Sequence, residues 1–203
     1  MGPVQEHLGR PAYFIEYRPI PDGCCAFSSV GAYPSGKGGK GMPKLYFKYG
    51  AMNSSKSANA LMVKFNYEEQ GYRVALLKPS IDDRDGTEVV KSRIGLEQRC
   101  YVIDEDMNLL DWYDAHREYQ VLIVDEAQFL TPEQVEQLKD LAVDEIPVLC
   151  FGLKTDFQTK MFPASKRLFE LADSLSEIKS VCRCGRKAEV NARIHDGAII
   201  KEG

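Results

Sequence analysis

The feature that most constrains the fold is Val121-Leu122-Ile123-Val124, a run without a polar residue that ends abruptly on Asp125-Glu126. A strand with one wet face alternates apolar and polar residues, whereas an unbroken apolar run belongs in a parallel sheet covered on both sides. Pro147 to Phe151 repeats the pattern. Parallel strands need crossover connections, and helical segments stand where they are required. Leu45-Tyr46-Phe47 reads as a strand, Ser57 to Gln70 as a helix and Arg73 to Leu77 as a second strand. Cys100 to Ile103 reads as a short strand and Asn108 to Glu118 as a helix, while the polar stretch from Pro79 to Arg99 reads as a long loop. Thr131-Pro132-Glu133-Gln134 opens another helix with a capping box and a proline in its first turn, and Ala164 to Ala172 is the last helix. The expected class is α/β, an open parallel sheet with helices on its faces.

At 203 residues there is room for one good core and a small appendage. Residues 1–41 hold eight of the 16 glycines and five of the 10 prolines, a shift that predicts a poorly ordered leader or a non-native extension, with Met42 as an alternative start. Residues 42–176 form the expected sheet domain. From 177 to 203 the character changes to Cys182-Arg183-Cys184-Gly185 and a hairpin around His195-Asp196-Gly197, which predicts a small β appendage. A net charge of -4 weighs against a protein whose task is gripping a nucleic-acid backbone. The apolar runs are too short to span a bilayer, and Met1 to His7 has no secretory pattern, so a cytoplasmic protein is expected. Only Cys182 and Cys184, of six cysteines, are spaced as a metal pair.

Two segments match a phosphate-binding loop. Gly31 to Gly38 has the better literal match, but the glycines and proline that follow cannot form the helix whose positive end must face the phosphate. Gly50-Ala51-Met52-Asn53-Ser54-Ser55-Lys56-Ser57 has a strand before it and a helix after it, so it is the expected site. Its amides would cradle phosphate, Lys56 would neutralise charge, and the Ser57 hydroxyl would join a Mg2+ shell. Ser55 stands where glycine is usual and is expected to keep φ negative, because a left-handed residue costs about 1–2 kcal/mol. Asp125, at the end of the buried strand, would hold the magnesium, and Glu126 is placed to accept a proton from an attacking hydroxyl. The chain is thus expected to be of the P-loop NTPase type.

Asp125-Glu126-Ala127-Gln128-Phe129, Gly152-Leu153-Lys154-Thr155-Asp156-Phe157 and Cys182-Arg183-Cys184-Gly185-Arg186-Lys187-Ala188 together resemble the thymidine kinase family of the bacterial and vertebrate-cytosolic type, over about Pro43 to Gly203. The resemblance implies transfer of phosphate from ATP to the 5'-hydroxyl of thymidine, with Glu126 as general base and Arg84 stabilising the transferring group. It places ATP on Gly50 to Ser57 and on Asp125, Glu126, Ala127 and Gln128, and magnesium on Ser57 and Asp125. Met52, Phe129, Leu153, Phe157 and Phe162 would line the thymine pocket. A homotetramer is also implied.

Cys182 and Cys184 would supply half of a structural Zn2+ site in a zinc-ribbon-like appendage, and the chain is expected to be truncated before the other half and before the family's lasso segment. Two other readings compete. Asp125-Glu126-Ala127-Gln128 also resembles a helicase magnesium box, which would call for a second motor domain and a basic track. A non-catalytic zinc-ribbon module would predict loss of Lys56 or Asp125, and both are present.

Overall fold

The computed structural model describes residues 44–82, 88–144, 146–182, 184–195 and 198–200. The expected leader, residues 1–41, and Arg84 lie outside them. Six strands form one sheet: β1 (Leu45–Gly50), β2 (Val74–Pro79), β5 (Tyr101–Ile103), β6 (Val121–Val124), β7 (Val148–Leu153) and β8 (Ser174–Glu177). Their order is β5-β2-β6-β7-β1-β8, and every neighbouring pair is parallel. All six therefore end on one edge of the sheet, the edge where open α/β sheets bind ligands.

The apolar runs earn their continuity by facing two cores. Leu45, Phe47, Leu77, Leu122, Val124, Val148 and Cys150 pack on one face with Val135, Leu138 and Ala142 of α3 (Pro132–Asp144) and Ala164 and Leu168 of α4 (Pro163–Leu171). Val74, Leu76, Val121, Ile123, Leu149 and Phe151 pack on the other with Ala60, Val63 and Tyr67 of α1 (Lys56–Glu69). Each such aliphatic or aromatic side chain contributes about 1.5–3 kcal/mol by leaving water. The α3 capping box forms as read: Thr131 Oγ1 accepts from the Gln134 amide and Gln134 Oε1 accepts from the Thr131 amide, both at 3.1 Å. Among the described residues no helix is long and apolar enough to cross a membrane.

Three local readings change. The helix expected from Asn108 to Glu118 is only α2 (Leu109–Asp114). Asn108 caps it by accepting from the Leu110 and Asp111 amides. It stops because the His116 ring takes the Trp112 carbonyl at 2.7 Å, while the His116 amide tightens onto Tyr113. The expected loop from Pro79 to Arg99 contains a hairpin, β3 (Val89–Lys91) and β4 (Glu97–Arg99), whose turn uses Gly95 at φ 88. Only Val90 of that hairpin strand pair is buried, so no apolar period announces it. Finally, Ser174–Glu177 extends the sheet as β8 beside β1, helped by the Asp173 carboxylate, which accepts from the Leu45 amide at 2.8 Å. Beyond it, β9 (Arg193–His195) and β10 (Ala198–Ile200) form the expected antiparallel hairpin.

Candidate active site

β1 delivers the chain to Gly50, where only glycine fits: a Cβ would lie 2.3 Å from Ser54 Oγ and 2.6 Å from the Ile178 carbonyl. The chain then turns through Asn53 at φ 67 and Ser55 at φ 60 into α1. Ser55 is therefore left-handed, contrary to the expectation from sequence. The sharp entry into the helix demands that conformation, and the loop carries its cost of about 1–2 kcal/mol. No side chain caps the start of α1, so its first-turn amides and the positive end of the helix remain available to an anion. Lys56 is buried within the loop and its Nζ donates to the Ala51 carbonyl at 2.9 Å.

Two strands away, β6 ends on Asp125, which is 2% exposed. Its Oδ1 is buried without a hydrogen-bond partner, an expensive arrangement unless a cation completes it. Burial, reinforced by the neighbouring Glu126 charge, pushes the Asp125 carboxyl up to about 6. A hydrogen bond from Ser57, one from the Glu126 amide and the Lys56 charge pull the other way without cancelling it. Two oxygens, the Ser57 hydroxyl and the unpartnered Asp125 Oδ1, form a donor set suited to a hard cation such as magnesium.

Glu126 follows at φ 50, a left-handed position that turns its half-buried side chain off the strand line. Gln128, only 2% exposed, anchors that carboxylate: its Nε2 donates to Glu126 Oε2, and its Oε1 accepts from the Leu153 amide at 2.9 Å. Gly152 makes room for this amide, since a Cβ there would sit 2.9 Å from Gln128 Oε1. The end of β7 thus supports the carboxylate carried by β6.

Lys56, Ser57, Asp125, Glu126 and Gln128 line one cavity of about 650 Å³, together with Met52, Phe129 and Leu153. Phe162 joins through its edge-to-face contact with Phe129, ring centroids 5.8 Å apart. Phe157 is outside that lining and lies under the Arg193 guanidinium, 5.8 Å from it.

A profile of the thymidine kinase family matches residues 43–203. The chain belongs to the thymidine kinase family. The thymidine kinase of enterobacteria phage T4 is 46% identical over 168 residues, 80% of this chain and 86% of that protein. That of Streptococcus thermophilus strain CNRZ 1066 is 48% identical over 167 residues, with 80% and 84% covered. The enzyme named from Chromobacterium violaceum is 46% identical over 166 residues, with 80% and 88% covered. Membership removes the helicase-fragment and binding-module readings.

Within this thymidine kinase fold, Cys182 and Cys184 are exposed, and among the described residues no group of three or more His, Cys, Asp or Glu could hold a metal. The pair does not make a closed zinc site by itself, which needs four ligands. Two residues near the site escaped the sequence reading. Lys78, 2% exposed at the end of β2, lines the cavity and donates to the Val89 carbonyl at 3.0 Å, tying the β3–β4 hairpin to the sheet. A lysine closing the apolar run Val74-Ala75-Leu76-Leu77 was the available signal. Asn191, 8% exposed, had no such signal.

Proposed function

We propose that this chain transfers the γ-phosphate of ATP to the 5'-hydroxyl of thymidine, giving thymidine monophosphate and ADP in pyrimidine deoxynucleoside salvage. The observation that carries this reading is the convergence, in one cavity, of the Lys56-Ser57 loop end, the buried Asp125 and the anchored Glu126 carboxylate. Donor phosphates would lie against the amides from Gly50 to Ser57, with the Lys56 ammonium drawing charge toward the leaving ADP oxygen. Magnesium, held by Ser57 and Asp125, would supply charge neutralisation at the β- and γ-phosphates. Glu126 would take the proton of the 5'-hydroxyl as its oxygen bonds to the γ-phosphorus and the bond to the ADP oxygen breaks. Arg84 would stabilise the equatorial oxygens, as the family resemblance implies.

The thymine base would pack among Met52, Phe129, Leu153 and Phe162, with Phe157 as an outer member. Gln128 is assigned to the ATP-binding set by resemblance, and its hydrogen bonds favour a share in orienting Glu126. Zinc on Cys182 and Cys184, homotetrameric assembly, a cytoplasmic location and no nucleic-acid partner complete the proposal. Sedimentation and metal analysis of the purified chain test the assembly and the zinc. Activity is tested by offering thymidine, deoxycytidine and deoxyuridine with magnesium-ATP. Thymidine is expected to be the preferred acceptor, and phosphorylation of deoxycytidine alone would overturn the assignment.

A further inference from the structure

The phosphate loop has a structural problem that its own residues do not solve. Asn53 and Ser55 both stand in the left-handed region, at φ 67 and 60, with no glycine between Gly50 and α1 to make that conformation cheap. Strained backbone of this kind persists only where the surroundings over-determine it. Within the loop, Lys56 Nζ to the Ala51 carbonyl and the Ser54 amide to the same carbonyl hold the turn from inside. The firmest outside support comes from Asn191, which lies well along the appendage and 139 residues from the residue it holds.

Asn191 Oδ1 accepts from the Met52 amide at 2.7 Å, and Asn191 Nδ2 donates to the Thr155 carbonyl at 2.7 Å. The side chain is 8% exposed, so both bonds are shielded from competing water. The Met52 backbone opens the strained stretch of the loop, and Thr155 follows Leu153 at the end of β7. One buried amide therefore spans the loop that would hold phosphate and the segment that leads toward the acceptor pocket. Ser180 adds a longer contact to the Asn53 carbonyl at 3.4 Å.

We propose that Asn191 is a positioning residue for the nucleotide: it clamps the glycine-poor phosphate loop in its left-handed, anion-ready shape, and so sets the affinity for ATP. The inference rests on the kinase reading only for the identity of the nucleotide. Asn191 is not among the residues that line the cavity itself. Its side chain supplies the acceptor that fixes Met52, and the amides from Asn53 to Ser57 are pre-arranged as a consequence.

Calorimetric titration of the full chain with magnesium-ATP tests this. Asn191→Ala is expected to bind about tenfold more weakly, from loss of buried hydrogen bonds. In steady state the KM for ATP should rise by a similar factor while kcat at saturating ATP stays within about twofold. Adding Ser55→Gly to Asn191→Ala, which removes the strain the clamp contains, is expected to recover at least about threefold of the affinity. In the parent chain the Met52 amide should exchange slowly with solvent although its side chain is 51% exposed, a readout that needs no variant. The clamp is overturned by unchanged ATP affinity in Asn191→Ala, by no recovery in the double variant, or by a fast Met52 amide in the parent. A parent that shows the Asn191 dependence for ATP yet phosphorylates no nucleoside would overturn the kinase reading and support the clamp. A parent that binds no nucleotide overturns both.

Discussion

On the proposed donor side of the cavity Lys56, Asp125 and Gln128 are 7%, 2% and 2% exposed, and each is fixed by the sheet edge or the loop beside it. On the proposed acceptor side Met52 and Phe129 are 51% and 37% exposed, and Phe129 meets Phe162 edge to face. The difference follows from what each half must do. Charged groups aimed at phosphate gain strength and selectivity from burial, but burying them unpaired is costly, so their positions have to be built into the fold. Apolar walls for a base need only shape, and they can complete themselves around the ligand. In the proposed transfer the donor half is a preset electrostatic device and the acceptor half an open apolar surface.

The contrast breaks most clearly at Glu126, where the halves meet. Glu126→Gln is expected to lower kcat by about a hundredfold or more with magnesium-ATP affinity unchanged, measured by steady-state kinetics and calorimetry. Asp125→Asn should reveal how much stability the donor side gives up. The Asp125 carboxyl is raised to about 6 from its ordinary 3.8, so the folded chain holds that proton more tightly than the unfolded one. Stability of the nucleotide-free protein therefore falls as pH rises from about 4 through about 6, and the full penalty applies above that. Asp125→Asn is expected to gain roughly 2–3 kcal/mol in urea unfolding at pH 7 and almost nothing at pH 4. An equal gain at both values would assign the effect to something other than the buried charge.

Smaller effects sharpen the same comparison. Gly152→Ala places a Cβ 2.9 Å from Gln128 Oε1 and 3.2 Å from its backbone nitrogen, which displaces the anchor of Glu126. A fall of about tenfold in kcat is expected, with ATP binding retained. Phe129→Ala, on the open side, should raise the KM for thymidine a few-fold and leave the KM for ATP alone, because it removes an edge-to-face pair worth about 1 kcal/mol. If Phe129→Ala instead weakened ATP as much as thymidine, the division into two halves would be wrong.

How much of this could be read in advance depends on whether a residue's role is local. Val121 to Val124 announced a doubly covered strand, and Asp125-Glu126 the acidic turn that closes it, because both signals lie within six residues. The strand, loop and helix around Gly50 to Ser57 were legible in advance, although Ser55 adopted the left-handed turn that sequence argued against. What escaped is non-local. The β3–β4 hairpin carries too few buried residues to show a period, and β8 exists because β1 offers it an edge. Asn191 looks like any polar residue in a loop until folding brings the Met52 amide to it across 139 positions. Gly152 likewise appears ordinary until Gln128 occupies the space beside it.

The most direct test of the central claim, that the two halves serve one transfer at Glu126, follows labelled phosphate. The parent chain and Glu126→Gln are each given thymidine and magnesium-ATP labelled at the γ-phosphorus. The label is expected to appear in thymidine monophosphate with the parent and at about 1% of that rate or less with the variant. No labelled thymidine monophosphate from the parent, or equal rates from the two proteins, would contradict the account.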